Sequence, residues 1–114
     1  MKKKHSFLTK NIIIASDHAG FVLKELIKKR LENLGLNILD LGVDNKKVSV
    51  DYPTYAKKLS KKINSKNMGI LICGSGIGMS IASNRFKNVR SALVNSSTLS
   101  KLSRKHNNAN IICL

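Results

Sequence analysis

The stretch Gly69-Ile70-Leu71-Ile72-Cys73-Gly74-Ser75-Gly76-Ile77-Gly78-Met79-Ser80-Ile81-Ala82 decides the fold. Ile70, Leu71 and Ile72 form a short apolar run suited to a strand covered on both faces. Gly74, Gly76 and Gly78 let the backbone turn sharply and aim several N–H groups at one spot. A helix follows, and its N-terminus favours anions or developing negative charge. Cys73 ends the strand and Ser75 stands inside the turn. A thiol, a hydroxyl and free amides therefore converge where a small anionic substrate can bind.

The same grammar runs outward in both directions. Upstream, residues 11–16 (NIIIAS) read as a buried strand ending at the polar turn Asp17-His18-Ala19-Gly20, which leads into a helix over Phe21–Leu34. Val22, Leu23, Leu26, Ile27, Leu31 and Leu34 recur there at helical spacing, and Lys24, Lys28, Lys29 and Glu32 are expected on its wet face. A second strand spans Asn37–Leu41, and Val43–Asp51 is a polar loop. Asp51-Tyr52-Pro53 then introduces a helix whose inner face is Tyr55, Ala56, Leu59 and Ile63. Downstream of the glycine turn come a helix from Ile77 to Phe86, a strand at Arg90–Val94, a helix at Ser97–Lys105 and a strand at Asn110–Leu114. Strands alternate with helices throughout. The expected fold is α/β, a Rossmann-like three-layer α/β/α sandwich with a five-stranded parallel sheet.

With 114 residues there is room for one core, so residues 11–114 read as a single domain behind a basic arm, residues 1–10. The net charge is +15 and uneven: residues 1–51 carry +4, whereas residues 52–114 carry eleven basic residues and no acid, hence +11. Seventeen of the basic residues are Lys and only four are Arg, a bias that looks like codon usage in an AT-rich genome. A nucleic-acid reader would be richer in Arg and aromatics, so a nucleic-acid partner is disfavoured. Two cysteines without metal-ligand spacing give neither a disulfide scaffold nor a metal site. Neither a signal-peptide core nor a run of about 20 apolar residues occurs. A cytoplasmic protein with no membrane partner is expected.

In an open parallel sheet, ligands sit beyond the carboxyl ends of strands. Asp17-His18 follows the first strand and Cys73-Gly-Ser-Gly the third, so neighbouring first and third strands would put both in one crevice. Each member also has a plain structural explanation. Ser16 and Asp17 can cap a helix, His18 can be a turn residue, Cys73 a small core hydrophobe, and the glycines punctuation. Together, at matching strand ends, they point to a site. The glycines fit neither a dinucleotide fingerprint, since no acid follows Asp51, nor a P-loop, so a reaction without cofactor or metal is expected. His106 and Asn107 close the fourth helix and belong to the opposite end of the sheet. Either a second subunit's site receives them, or His106 is a histidine favoured by the helix dipole.

Four blocks carry a resemblance: S-D-H-A-G-F at 16–21, D-Y-P at 51–53, G-I-L-I-C-G-S-G-I-G-M-S-I-A at 69–82 and L-S-R-K-H-N at 102–107. In order and spacing they resemble type B ribose-5-phosphate isomerases, a branch of the ribose/galactose isomerase family. The resemblance implies interconversion of ribose 5-phosphate and ribulose 5-phosphate through an enediolate, in a homodimer or larger homo-oligomer with shared active sites. It makes Cys73 the base, with Ser75 assisting proton transfer and the amides from Gly74 through Ser75, Gly76 and Ile77 to Gly78 holding the enediolate oxygens. Asp17 and the neighbouring subunit's equivalent of His106 would open the furanose ring. His18 would contact the phosphate, Asn107 the sugar, and Tyr52 would line the pocket. A cysteine at 73 favours the ribose branch over a galactose-6-phosphate isomerase-like subunit. The glutamate that serves some members as base has no counterpart, since Met79 and Ser80 stand there.

Family members continue past the fifth strand into a helix and an arginine-bearing tail, whereas this sequence ends at Leu114. The expectation is a C-terminally short domain with a reduced phosphate clamp and some uncovered apolar sheet. A weak or inactive sugar-phosphate-binding remnant is therefore the alternative reading, and a basic nucleic-acid-binding domain a distant third.

Overall fold

The computed structural model describes residues 9–114; residues 1–8, most of the expected basic arm, lie outside the described residues. Nine elements alternate: β1 (Asn11–Ser16), α1 (Phe21–Asn33), β2 (Asn37–Asp40), α2 (Tyr52–Ser60), β3 (Met68–Ile72), α3 (Ile77–Ser83), β4 (Ser91–Leu93), α4 (Ser97–Asn107) and β5 (Ile111–Cys113). All strand pairs are parallel, in the order β2-β1-β3-β5-β4. The expected α/β sandwich is thus present, with strand and helix ends within a few residues of their sequence signals.

Two apolar layers hold the sheet between helices. On one face Ile13, Ala15, Leu71, Ile111 and Cys113 pack with Ala56, Leu59 and Ile63 of the α2 region and Met79 of α3. On the other, Ile14, Ile70 and Ile72 meet Ile27 and Leu31 of α1. Alternate residues of one strand supply the two layers, as the period of two requires. The last strand does not extend the sheet outward. It inserts between β3 and β4, so Leu114 closes on the site strand: its N–H donates to the Leu71 carbonyl at 2.9 Å, and its own carbonyl accepts from the Cys73 N–H at 3.2 Å.

Helix α1 departs from its sequence reading. Lys24, expected on the wet face, is fully buried, while Val22, Leu23, Leu26 and Leu34 are exposed. The line facing the sheet is Lys24, Ile27 and Leu31, rotated from the centre of the apolar stripe. Lys24 tolerates burial because its ammonium is fully engaged. It donates to Asp40 Oδ2 and to Glu25 Oε2, both at 2.7 Å, and lies 5.2 Å from the Phe21 ring centroid. Asp40 also accepts from Lys28 at 3.1 Å, and its other oxygen takes the Gly42 N–H at 2.8 Å. The Gly42 carbonyl in turn accepts from the Ser16 N–H at 2.8 Å. An ion pair with its lysine buried and its aspartate partly exposed thus secures the end of β2 beside the end of β1, where the candidate site begins.

Candidate active site

Two strand ends meet at the carboxyl edge of the sheet. Ser16 of β1 is in register with Ile72 of β3, and the Asp17 N–H donates to the Ile72 carbonyl at 3.2 Å. The turns beyond them are pressed together. A Cβ at Gly20 would lie 2.7 Å from Ile72 Cγ2 and from its carbonyl oxygen, and one at Gly74 would stand 4.0 Å from the Ala19 Cβ. Asp17-His18 and Cys73–Gly78 therefore share one crevice, as their strand ends predicted.

Asp17 is buried, and its Oδ1 accepts the Gly20 N–H at 3.0 Å. Gly20 is itself the N-cap of α1, so Asp17 braces the turn instead of capping the helix. Half-buried His18 accepts the Val50 N–H on Nδ1 at 3.1 Å. Cys73 is also half-buried, and its Sγ accepts the Gly76 N–H at 3.1 Å. Ser75 Oγ accepts the Ile77 N–H at 3.2 Å, which leaves its own proton free to donate. Two amides of the turn are thus engaged already. Those of Gly74, Ser75 and Gly78 have no hydrogen bond to the described residues and are free to donate.

Glycine is required at 76 for two independent reasons. Its φ is +78°, and a Cβ there would fall 2.7 Å from Leu93 Cδ1 and 2.8 Å from the Leu114 carbonyl carbon. Gly76→Ala is expected to cost about 1–3 kcal/mol, the range for a strained backbone position. Urea unfolding of the two proteins checks this, and equal stability would refute the strain. Gly78 has a different role from the one its spacing suggested. A Cβ there would lie 2.5 Å from Tyr52 Cζ, so glycine at 78 seats the Tyr52 ring against the start of α3.

His106 and Asn107 are not brought to this crevice. Both are exposed at the end of α4, just before β5 begins by pairing with Gly69, at the far end of the sheet from Cys73. A hollow of about 530 Å³ at that far end is lined by Arg90, Arg104, Asn108 and Asn110. Its volume does not make it the site, because the two guanidiniums bond protein acceptors, the Asn108 carbonyl and side chain and the Ala109 carbonyl.

The second thiol differs from the first. Cys113 is fully buried, and burial pushes its pKa up to about 11, against hydrogen bonds from Ser91 and Ser83. Native protein is therefore expected to react with iodoacetamide at Cys73 and not at Cys113, and at both after unfolding, read by intact mass. Rapid native labelling of Cys113 would contradict its burial. Because the folded value lies above the ordinary 9.0, this thiol's contribution to stability is full below about 9 and is lost as pH rises through 11.

Val50, Leu114, Lys24 and Asp40 have parts here that the sequence did not signal. Val50 and Leu114 act through backbone groups, which side-chain chemistry cannot announce.

A model of the family described as Ribose/Galactose Isomerase matches residues 12–114. The probable ribose-5-phosphate isomerase B of Mycoplasma genitalium is 43% identical over 91% of this chain and 70% of its own length. The ribose-5-phosphate isomerase B of Escherichia coli is 36% identical, over 90% and 70% respectively. Among solved structures, ribose 5-phosphate isomerase B from Anaplasma phagocytophilum superposes with a TM-score of 0.91 at 47% identity, covering 96% of this chain and 75% of that one. The Mycoplasma genitalium enzyme with bound ribulose-5-phosphate gives 0.82 at 44% identity, covering 91% and 70%.

Proposed function

This chain belongs to the ribose/galactose isomerase family, and we propose that it interconverts ribose 5-phosphate and ribulose 5-phosphate through a cis-enediolate. The observation that carries the reading is the meeting of the Cys73 thiol, with an N–H on its sulfur, and the Asp17 carboxylate at adjoining strand ends. As thiolate, Cys73 takes the proton from C2 of the open-chain aldose and returns it to C1. The Gly76 N–H stabilises negative charge on the sulfur before transfer. The free amides of Gly74, Ser75 and Gly78 hold the enediolate oxygens as charge moves onto them. Ser75 gives its free proton to O1 and takes the O2 proton in exchange, so its hydroxyl is restored. Asp17 takes the hydroxyl proton that opens the furanose ring.

His106 and Asn107 complete the site of a second copy in a homodimer or larger assembly, the ring oxygen receiving its proton from His106. What supports this part is their exposure at the far end of the sheet, outside reach of their own Cys73. His18 meets the phosphate, and Tyr52 on Gly78 forms the wall of the pocket. The cytoplasm is the proposed setting.

Purified protein is expected to convert ribose 5-phosphate to ketose, followed by ketopentose absorbance, without added metal or cofactor. Binding of ribose 5-phosphate without turnover would overturn the catalytic reading and leave a sugar-phosphate-binding remnant.

A further inference from the structure

His18 has one ring nitrogen already engaged. The N–H of Val50, 32 residues further along the chain, donates to Nδ1 at 3.1 Å. An acceptor needs a lone pair, so Nδ1 carries no proton while this bond stands. In the neutral ring the proton is then on Nε2. An imidazolium would set an Nδ1–H against the Val50 N–H, donor against donor. Among the described residues Nε2 has no hydrogen-bond partner, and His18 is only half-buried. Its single remaining donor is available to a ligand.

We infer that the Val50 amide is a positioning group which locks His18 as the neutral Nε2–H tautomer, so that His18 meets the substrate phosphate as one uncharged donor. This rests on the sugar-phosphate reading of the site. The same short segment serves the other wall of the pocket. Val50 lies one residue before Asp51, the N-cap of α2, and two before Tyr52, whose ring rests on Gly78. One backbone bond therefore ties the phosphate contact to the placement of Tyr52. It follows that the charge of the phosphate is balanced by cations other than His18.

The chain has three histidines, so long-range proton–nitrogen correlation spectra of protein with labelled histidine are simple to assign, using His18→Gln. Near neutral pH, His18 is expected to show an unprotonated Nδ1 and a protonated Nε2, and to keep that pattern when saturated with ribose 5-phosphate. A doubly protonated ring, or the Nδ1–H tautomer, in either state would overturn the inference. Kinetics supply a second readout. The Gln amide nitrogen reaches toward the position of Nε2, whereas that of Asn reaches only toward Nδ1. His18→Gln is expected to keep KM within a few-fold, and His18→Asn to raise it about tenfold or more with kcat little changed. The reverse order would also overturn the inference. If the wild-type protein neither binds nor turns over ribose 5-phosphate, the sugar-phosphate reading fails, and the phosphate contact with it. Turnover alongside a charged His18 refutes this inference alone.

Discussion

Cys73→Ala is expected to lower kcat/KM for ribose 5-phosphate at least about a thousandfold, within the range for loss of a general base, with the far-ultraviolet circular dichroism unchanged. The other thiol, Cys113, cannot take its place. Cys113 is fully buried, and burial holds its proton on. Cysteine is also small and only half-buried, so its truncation leaves little cavity. A variant with wild-type rates would refute Cys73 as the base. The shared-site proposal sharpens the test. If His106 serves the partner's Cys73, Cys73→Ala and His106→Ala subunits are each inactive alone but complement when refolded together. In a mixed dimer one site carries both substitutions and the other neither, so roughly a quarter of all sites in a random mixture recover. Absence of complementation, with mixed dimers demonstrated, would show that His106 acts within its own subunit or not at all.

Asp40→Ala is expected to be the most damaging single change to stability outside the apolar core, at about 3 kcal/mol, the low end for breaking a buried pair. It removes one of the two carboxylates that lie 2.7 Å from a fully buried ammonium, and the acceptor of the Gly42 N–H. Glu25, itself 43% exposed, remains beside Lys24 and keeps the loss from being larger. Lys24→Met is expected to cost much less, because Asp40 retains Lys28, Gly42 and contact with water. Equal costs for the two substitutions would contradict this ordering. The pH dependence follows from Asp40 itself. Burial alone would raise its pKa, but hydrogen bonds from Lys24, Gly42 and Lys28 outweigh that and hold it below the ordinary carboxylate value. A depressed folded value means that the contribution is full above the unfolded pKa of about 4 and fades as pH falls through the lower folded one. The stability gap between wild type and Asp40→Ala is therefore expected to close in acid, measurable by urea titrations from neutral pH downward. Because Asp40 anchors Gly42 beside Ser16, the substitution is also expected to loosen the strand end that carries Asp17.

The alternation of strand and helix was written in the periodicity of the chain, and so was the pairing of Asp17-His18 with Cys73–Gly78, because residues at carboxyl strand ends of a parallel sheet converge on one edge. The burial of Lys24 was not. A lysine among Lys28, Lys29 and Arg30 reads as solvated until Asp40, sixteen residues away, is brought beneath it. Likewise Gly78 looked like a turn glycine, and only the packing of α2 against α3 showed that it makes room for Tyr52.

By itself, then, the sequence determined the α/β class, the two turns that form the crevice, and the separation of His106 from Cys73, all of which follow from local periodicity and chain direction. The tertiary structure alone decided that β5 inserts beside β3 and brings the Leu114 carbonyl onto the Cys73 N–H, that an ion pair lies under α1, and that Val50 engages His18. The physical reason is common to all three. They depend on backbone groups, or on charges distant in the chain, whose partners exist only once the sheet has closed.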